Sequence, residues 1–132
     1  MKTVQKKYSD KDSIDLARAI AATALDKKAE DVVILDVRGL AGFTDFFVIM
    51  SGRSTRHVQS LANTVDQEMC SKRLSISNTE GMQEGQWVLL DYNDVVVHIF
   101  YAESRSFYDL EGLWHDAPRI SVSEDDITTQ DK

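Results

Sequence analysis

The chain has 132 residues, 42% of them hydrophobic, which is enough for one domain with a single core. Its 15 basic and 22 acidic residues give a formal net charge of −7, which disfavours broad attachment to a nucleic-acid backbone. No apolar run approaches the roughly 20 residues that a membrane-spanning helix needs, and the segment 1–12 lacks the apolar stretch of a signal peptide. A single cysteine, Cys70, cannot form an internal disulfide, so we expect a cytoplasmic protein.

The first half of the chain predicts a helix, two strands and a second helix. Apolar residues recur at spacings of three and four over 12–29, which indicates an amphipathic helix capped by Ser9 or Asp10. Two nearly continuous apolar runs, 32–37 and 46–51, predict central strands separated by a turn. Ser54 can cap a helix running to about Arg73. The apolar faces of the two helices are Ile14, Ala17, Ala21 and Leu25, and Val58, Leu61, Ala62, Val65 and Met69.

The second half predicts a β-hairpin and a short helix. After a loop at 78–85, the runs 87–91 and 95–100 are joined by a turn around Tyr92 and Asn93. Residues 103–114 can form a final helix whose apolar face is Phe107, Leu110 and Trp114.

This order of elements predicts an α/β or α+β fold with a single mixed β-sheet flanked by helices. No repeat or linker divides the chain, so we expect one domain at 12–118 after a flexible N-terminus at 1–11. The segment 119–132 is acidic and poor in large apolar residues, and we expect it to be a disordered tail.

A phosphate-handling enzyme is one interpretation of the strand-to-helix junction at 52–54. Helix N-termini bind anions, and Arg53, Arg56 and His57 could reinforce a nucleotide phosphate site. A nucleotidyltransferase would also need two carboxylates two residues apart on a strand to hold its metal. Asp91 and Asp94 are instead three apart and flank the proposed turn, so a simple capped turn is the better explanation.

Metal binding and thiol chemistry receive little support. His57 and His98 lie on separate elements without a recognisable ligand spacing. By the period of a strand, His98 shares a face with Asp94, Val96 and Phe100, which predicts a partly buried, hydrogen-bonded histidine. Cys70 has no nearby His-Asp relay. We therefore expect no catalytic residue, no metal site and no cofactor.

Aromatic residues around the hairpin are suited to a protein contact. Trp87, Tyr92 and Tyr101 could anchor a basic protein partner. Acidic residues would form the rim of such a contact: Glu80, Asp91, Asp94 and Glu103. From the residues alone, burial of Trp87 in the core, with the acids simply solvated, explains the pattern equally well.

Seven segments resemble, in order and spacing, the signature blocks of the Iojap, or ribosomal silencing factor, family. They are LDVRG at 35–39, TDFFVI at 44–49, SGRSTRHV at 51–58, EG at 80–81, WVLLD at 87–91, DVVVHIF at 94–100 and RSFYDLEGLW at 105–114. The resemblance covers residues 12–114, essentially the whole predicted domain.

The resemblance implies a sheet similar to the nucleotidyltransferase fold without its catalytic residues, and a tendency to form homodimers. It also implies a translational repressor that binds large-subunit ribosomal protein fourteen and sterically blocks association with the small subunit. The matching contact positions are Trp87, Tyr92, Asp94 and His98, together with Glu80, Glu103 and Arg105. Two alternatives stay open, a nucleotide-binding or nucleotidyltransferase-like enzyme and a large-subunit assembly factor.

Overall fold

The computed structural model describes residues 10–122 and contains one six-stranded mixed sheet with helices packed on it. The elements in chain order are α1 (Asp10–Asp26), β1 (Glu30–Asp36), β2 (Phe46–Gly52), α2 (Thr55–Ser71), β3 (Asn78–Glu80), β4 (Trp87–Asp91), β5 (Val95–Tyr101), α3 (Ala102–Tyr108), α4 (Leu110–Leu113) and β6 (Arg119–Ser121). The strand order is β3-β4-β5-β2-β1-β6, with β2 and β5 parallel and the other neighbours antiparallel. The predicted fold class is confirmed.

Helices α1 and α2 cover one face of this sheet. In α2 the predicted apolar face is buried in full, and Ser54 caps the helix by accepting a hydrogen bond from the His57 backbone N–H. In α1 the buried stripe is Leu16, Ala17, Ile20, Ala21 and Ala24. Ile14 and Leu25, which were expected on that stripe, are only partly buried. Among the described helices none is long and apolar enough to cross a membrane.

The opposite face of the sheet carries a second apolar cluster, which α3, α4 and the segment after them cover in part. Residues paired in register point to the same side of a sheet, so alternate residues of four strands converge here. We call this surface the aromatic face. Its residues are Val33 and Leu35 of β1, Phe47 and Ile49 of β2, Trp87 and Leu89 of β4, Val96, His98 and Phe100 of β5, and Tyr108, Leu110, Trp114 and Ala117 above them.

The predicted helix at 103–114 is wrong in its middle, because the chain breaks at Asp109. Asp109 adopts a left-handed backbone with φ 49°, and its carboxylate accepts a hydrogen bond from the Gly112 backbone N–H. Two short helices result instead of one. The expected common apolar face is therefore split, with Leu110 buried and Phe107 exposed over 81% of its surface.

Short strands and a shifted turn account for the other differences. The predicted loop at 78–85 begins with β3, and Arg119–Ser121 forms β6 against β1, so the predicted tail starts too early. Helix α1 already begins at Asp10, inside the predicted flexible N-terminus. The hairpin turn is closed between Tyr92 and Val95, one residue later than predicted. Residues 1–9, including the predicted cap Ser9, and 123–132 lie outside the described part of the chain.

Candidate functional site

Ring contacts on the aromatic face form a layer that reaches the surface. The Trp87 ring centroid lies 4.9 Å from the ring centroids of both Phe100 and Tyr108. Trp114 meets Phe47 edge to face at 5.3 Å. Such contacts favour particular ring geometries and add to the energy of simple burial. The layer is therefore packed in a defined arrangement before any partner arrives.

Large apolar side chains remain exposed around this layer. Phe43, Phe107 and Leu113 are 64%, 81% and 75% exposed, and Tyr108 and Leu40 are about half exposed. These five are the exposed large hydrophobic residues of the described chain, and none of them belongs to α1 or α2. Exposed apolar surface of this kind marks contacts with other proteins.

Two carboxylates of the sheet lie on the same side as the aromatic face. Glu80 and Asp91 point to this face because they pair in register with Leu89 and Val96. A rim of acidic residues around an apolar centre fits a positively charged protein surface.

Trp87 and His98, two predicted contact residues, touch one another on the aromatic face. The Trp87 Nε1–H donates to Nδ1 of His98 at 3.1 Å. Trp87 is half-buried, whereas His98 is only 4% exposed. Burial lowers the pKa of His98 to about 3, because the charged imidazolium would lose its hydration. His98 is hydrogen-bonded as predicted, but it is almost fully buried instead of partly buried, so it cannot itself touch a partner.

Tyr92 and Asp94 lie apart from that pair, which corrects their predicted grouping with Trp87. The Tyr92 ring is buried between the sheet and the two long helices, and its hydroxyl donates to Asp66 of α2 at 2.6 Å. Burial and the nearby Asp66 raise the Tyr92 pKa well above its usual value. Asp94 sits in the hairpin turn, at the far end of β4 from Trp87, and its carbonyl accepts the Asp45 backbone N–H. Tyr92 therefore fastens the turn to α2 and cannot anchor a partner.

The remaining predicted contact residues are two exposed glutamates and one largely buried arginine. Glu80 on β3 and Glu103 in the first turn of α3 are exposed, so both are accessible to a partner. The Arg105 side chain is only 13% exposed and turns inward. We therefore separate Arg105 from the candidate contact surface.

Arg105 instead fastens α3 to the sheet and to α4. It forms two hydrogen bonds with the Glu111 carboxylate at 3.0 and 3.2 Å, and Nη1 donates to the Asp31 carbonyl and the Ser51 hydroxyl at 2.8 and 2.9 Å. Arg119 of β6 also binds Glu111, at 3.1 Å. The hydrogen bond from Arg105 holds the pKa of Glu111 below its usual value. The only sign of this ion pair in the sequence is that an arginine and a glutamate lie six residues apart in the block 105–114.

Removing Arg105 should destabilise the domain. We expect Arg105→Ala to lower the free energy of unfolding by about 3 kcal/mol, because Glu111 loses its main partner while partly buried. The Glu111 pKa is lowered in the folded state, so this stabilisation is present above its usual pKa of 4.5 and is lost as pH falls through the folded value. Urea unfolding of wild type and variant at neutral and acidic pH measures both effects.

Lys72→Ala is the matched control, since it breaks an exposed ion pair with Glu68 on α2. We expect this control to cost less than about 0.5 kcal/mol. An equally small loss in Arg105→Ala would contradict the assigned role of Arg105.

The start of α2 is closed by contacts within the chain itself. His57 Nδ1 accepts the Arg53 backbone N–H at 3.0 Å, and Nε2 lies 3.0 Å from the Lys27 carbonyl oxygen. Ser54 is engaged as the helix cap. These contacts occupy groups that the enzyme interpretation would assign to a phosphate. Within residues 10–122, no three His, Cys, Asp or Glu side chains are grouped as a metal site requires.

Comparison with known proteins gives a consistent result. A family model described as "Ribosomal silencing factor during starvation" matches residues 10–132. The ribosomal silencing factor RsfS of Bacillus subtilis is 40% identical over 103 residues, which cover 78% of this chain and 87% of that protein. "Protein Iojap, chloroplastic" of Zea mays is 32% identical over 116 residues, which cover 88% of this chain and 50% of that protein.

Solved structures agree with the sequence comparison. The X-ray structure of a protein from Chromobacterium violaceum matches with a TM-score of 0.73 at 31% identity, covering 87% of this chain and 92% of the other. A crystal structure from Bacillus halodurans matches with a TM-score of 0.70 at 37% identity, covering 83% and 96%. Family model, relatives and folds point the same way, and the chain belongs to the family of ribosomal silencing factors.

Proposed function

We propose that this protein binds large-subunit ribosomal protein fourteen through the aromatic face and sterically blocks association with the small subunit. The proposal is carried by the exposed apolar residues around a packed aromatic layer, with carboxylates at its border. Membership of the silencing family supports a ribosomal partner. Ribosomal proteins are basic because they bind RNA, and this chain carries a net charge of −7, so complementary charge would speed their encounter.

The proposed mechanism needs no chemical step. A folded domain seated on the joining surface of the large subunit excludes the small subunit by volume, and joining waits for its dissociation. Repression of translation in the cytoplasm would follow from the lifetime of this complex. The hydrogen bonds at the start of α2 favour this mechanism over the nucleotide-binding alternative, because Ser54 and His57 are already occupied by groups of the same chain.

Truncation of Trp87 should weaken the complex strongly. A central, half-buried aromatic anchor contributes about 2 kcal/mol or more, so we expect Trp87→Ala to weaken binding at least about 30-fold. Co-sedimentation with purified large subunits measures the binding. Addition of small subunits, followed by a sucrose gradient, then measures joining.

Gln67→Ala is the matched control, because Gln67 is exposed on α2, across the sheet from the aromatic face. It should bind and block joining like the wild type. Phe107→Ser is a second test, since an exposed side chain can be removed without opening the core. Wild-type protein that leaves joining unaffected would contradict the proposal, as would unimpaired binding by both Trp87→Ala and Phe107→Ser.

Self-association through the same face is a second part of the proposal. Exposed Phe107 and Leu113 lie on the short helices beside the aromatic layer, where a second copy could cover them. A homodimer of this kind would compete with ribosome binding. Sedimentation velocity across a concentration series should show a dimer that Leu113→Ser weakens, and a strictly monomeric wild type would contradict this part.

A further inference from the structure

His98 is an unusual residue for its position in the sheet. It lies on a central strand between Ile49 of β2 and Leu89 of β4, its partners in register, with Val96 and Phe100 on either side along β5. All four neighbours are apolar. A hydrocarbon side chain would pack at this position without the cost of desolvating two ring nitrogens.

The hydrogen bond from Trp87 determines where the imidazole proton resides. An indole N–H can only donate, so His98 Nδ1 must accept and therefore carries no proton. In the neutral ring the proton then lies on Nε2. Within the described residues Nε2 is buried and has no hydrogen-bond partner. This histidine thus retains an unsatisfied donor, which lowers stability, while its other nitrogen binds Trp87.

Trp87 connects the buried part of the aromatic face to its exposed part. Its ring packs at a tilt against the fully buried Phe100 and against Tyr108, which is 41% exposed. Contacts with rings favour several geometries, whereas a hydrogen bond to one ring edge selects one of them. The bond to His98 is specific to the indole edge that carries the N–H, so a ring turned over would lose it.

We propose that His98 is a positioning residue, whose Nδ1 holds the Trp87 indole in the single orientation that the partner recognises. The inference rests on the proposed function, since it concerns the same surface. His98 does not touch the partner itself, because it is 4% exposed beneath the aromatic layer. The ring stays neutral at physiological pH, because burial lowers the His98 pKa to about 3, so the acceptor is always available.

Two substitutions separate positioning from packing. His98→Leu removes the acceptor together with the unsatisfied Nε2 donor. The Trp87 indole N–H loses its partner, but Trp87 is only half-buried and can turn this group to water, so the variant should fold about as well as the wild type near neutral pH. His98→Gln retains a side-chain oxygen that can accept from the indole N–H. The indole ¹⁵N–¹H resonance of Trp87, assigned with a Trp114→Phe variant, reports the hydrogen bond directly and needs no ribosome.

We expect His98→Leu to move or broaden the Trp87 indole resonance and to weaken binding to large subunits about tenfold, as measured by co-sedimentation. His98→Gln should restore both towards wild type, and Gln67→Ala should change neither. An indole resonance that does not move in His98→Leu would overturn the inference, as would full binding by a variant whose indole has moved. If wild-type protein does not bind large subunits, the proposed function fails and this inference fails with it. An unmoved indole in a protein that still binds overturns the inference alone.

Discussion

Gly81→Ala should destabilise the domain by more than about 4 kcal/mol, whereas Gly39→Ala should cost about 1 kcal/mol. Both glycines have a left-handed backbone, with φ +80° and +81°, so an alanine is strained at either position. Only at Gly81 would the added Cβ collide with the carbonyl oxygen of Trp87, while nothing lies within 4 Å of it at Gly39. The difference between the two variants isolates the collision from the backbone strain.

The collision at Gly81 cannot be relieved by a side-chain movement. The obstructing atom belongs to the backbone of β4, directly where the chain enters that strand. Relief would require β3 and β4 to separate, which breaks their antiparallel pairing and displaces Trp87. Urea unfolding of the two variants measures the free energies, and equal losses in Gly81→Ala and Gly39→Ala would contradict the assigned role.

Local patterns predicted the elements whose stability depends on local contacts. The apolar period of α2 and its cap at Ser54 lie within one stretch of chain, so both were readable from the sequence. The break at Asp109 was missed because the apolar period of 103–114 continues through it. Aspartate is a common helix cap, but the apolar pattern does not mark Asp109 as the place where a second helix begins.

Contacts between distant residues decided what the sequence left open. Strand β6 has three residues and exists because β1 offers an unpaired edge, which composition cannot reveal. The Tyr92 side chain points inward, where its hydroxyl donates a hydrogen bond to Asp66 on α2. The hairpin turn lies one residue later than predicted, with Asn93 at φ 74°, and this places Trp87 opposite Phe100. Trp87 and His98 were both predicted as contact residues, but their hydrogen bond follows from that register.

The location of the candidate surface was therefore partly predictable from the sequence, but the role of each residue on it was not. The contact positions that the family resemblance implied lie on β3, β4, β5, the hairpin turn and α3, and of these Trp87 and His98 lie on the aromatic face. The resemblance could not distinguish the exposed Glu103 from the inward-facing Arg105, because both lie on α3. Arg105 turns inward because Glu111 and Ser51 accept its hydrogen bonds. The exposed Phe43, on the loop before β2, was not among the predicted contact residues.

Mild acid should destabilise the wild-type protein through His98. In the folded state burial lowers the pKa of His98 to about 3, whereas an unburied imidazole has a pKa of 6.5. Between these values the unfolded chain binds a proton that the folded protein does not, so the free energy of unfolding falls as pH drops below 6.5. At pH 5 we expect this loss to be about 2 kcal/mol, and nearer pH 3 about 4 kcal/mol.

His98→Leu should abolish this part of the acid sensitivity. The exposed His115 and the carboxylates remain in both proteins, so the difference between their stability curves belongs to residue 98. Urea unfolding at half-unit steps from about pH 7.5 to 5 measures this difference before Glu111 is protonated, since the pKa of Glu111 lies below 4.5. We expect the free energy of unfolding of the variant to exceed that of the wild type by a margin that grows steadily as the pH falls below 6.5. Parallel stability curves would show that His98 accepts a proton in the folded state. Growth of the gap would establish that the ring under Trp87 stays neutral, which the hydrogen bond to the indole requires.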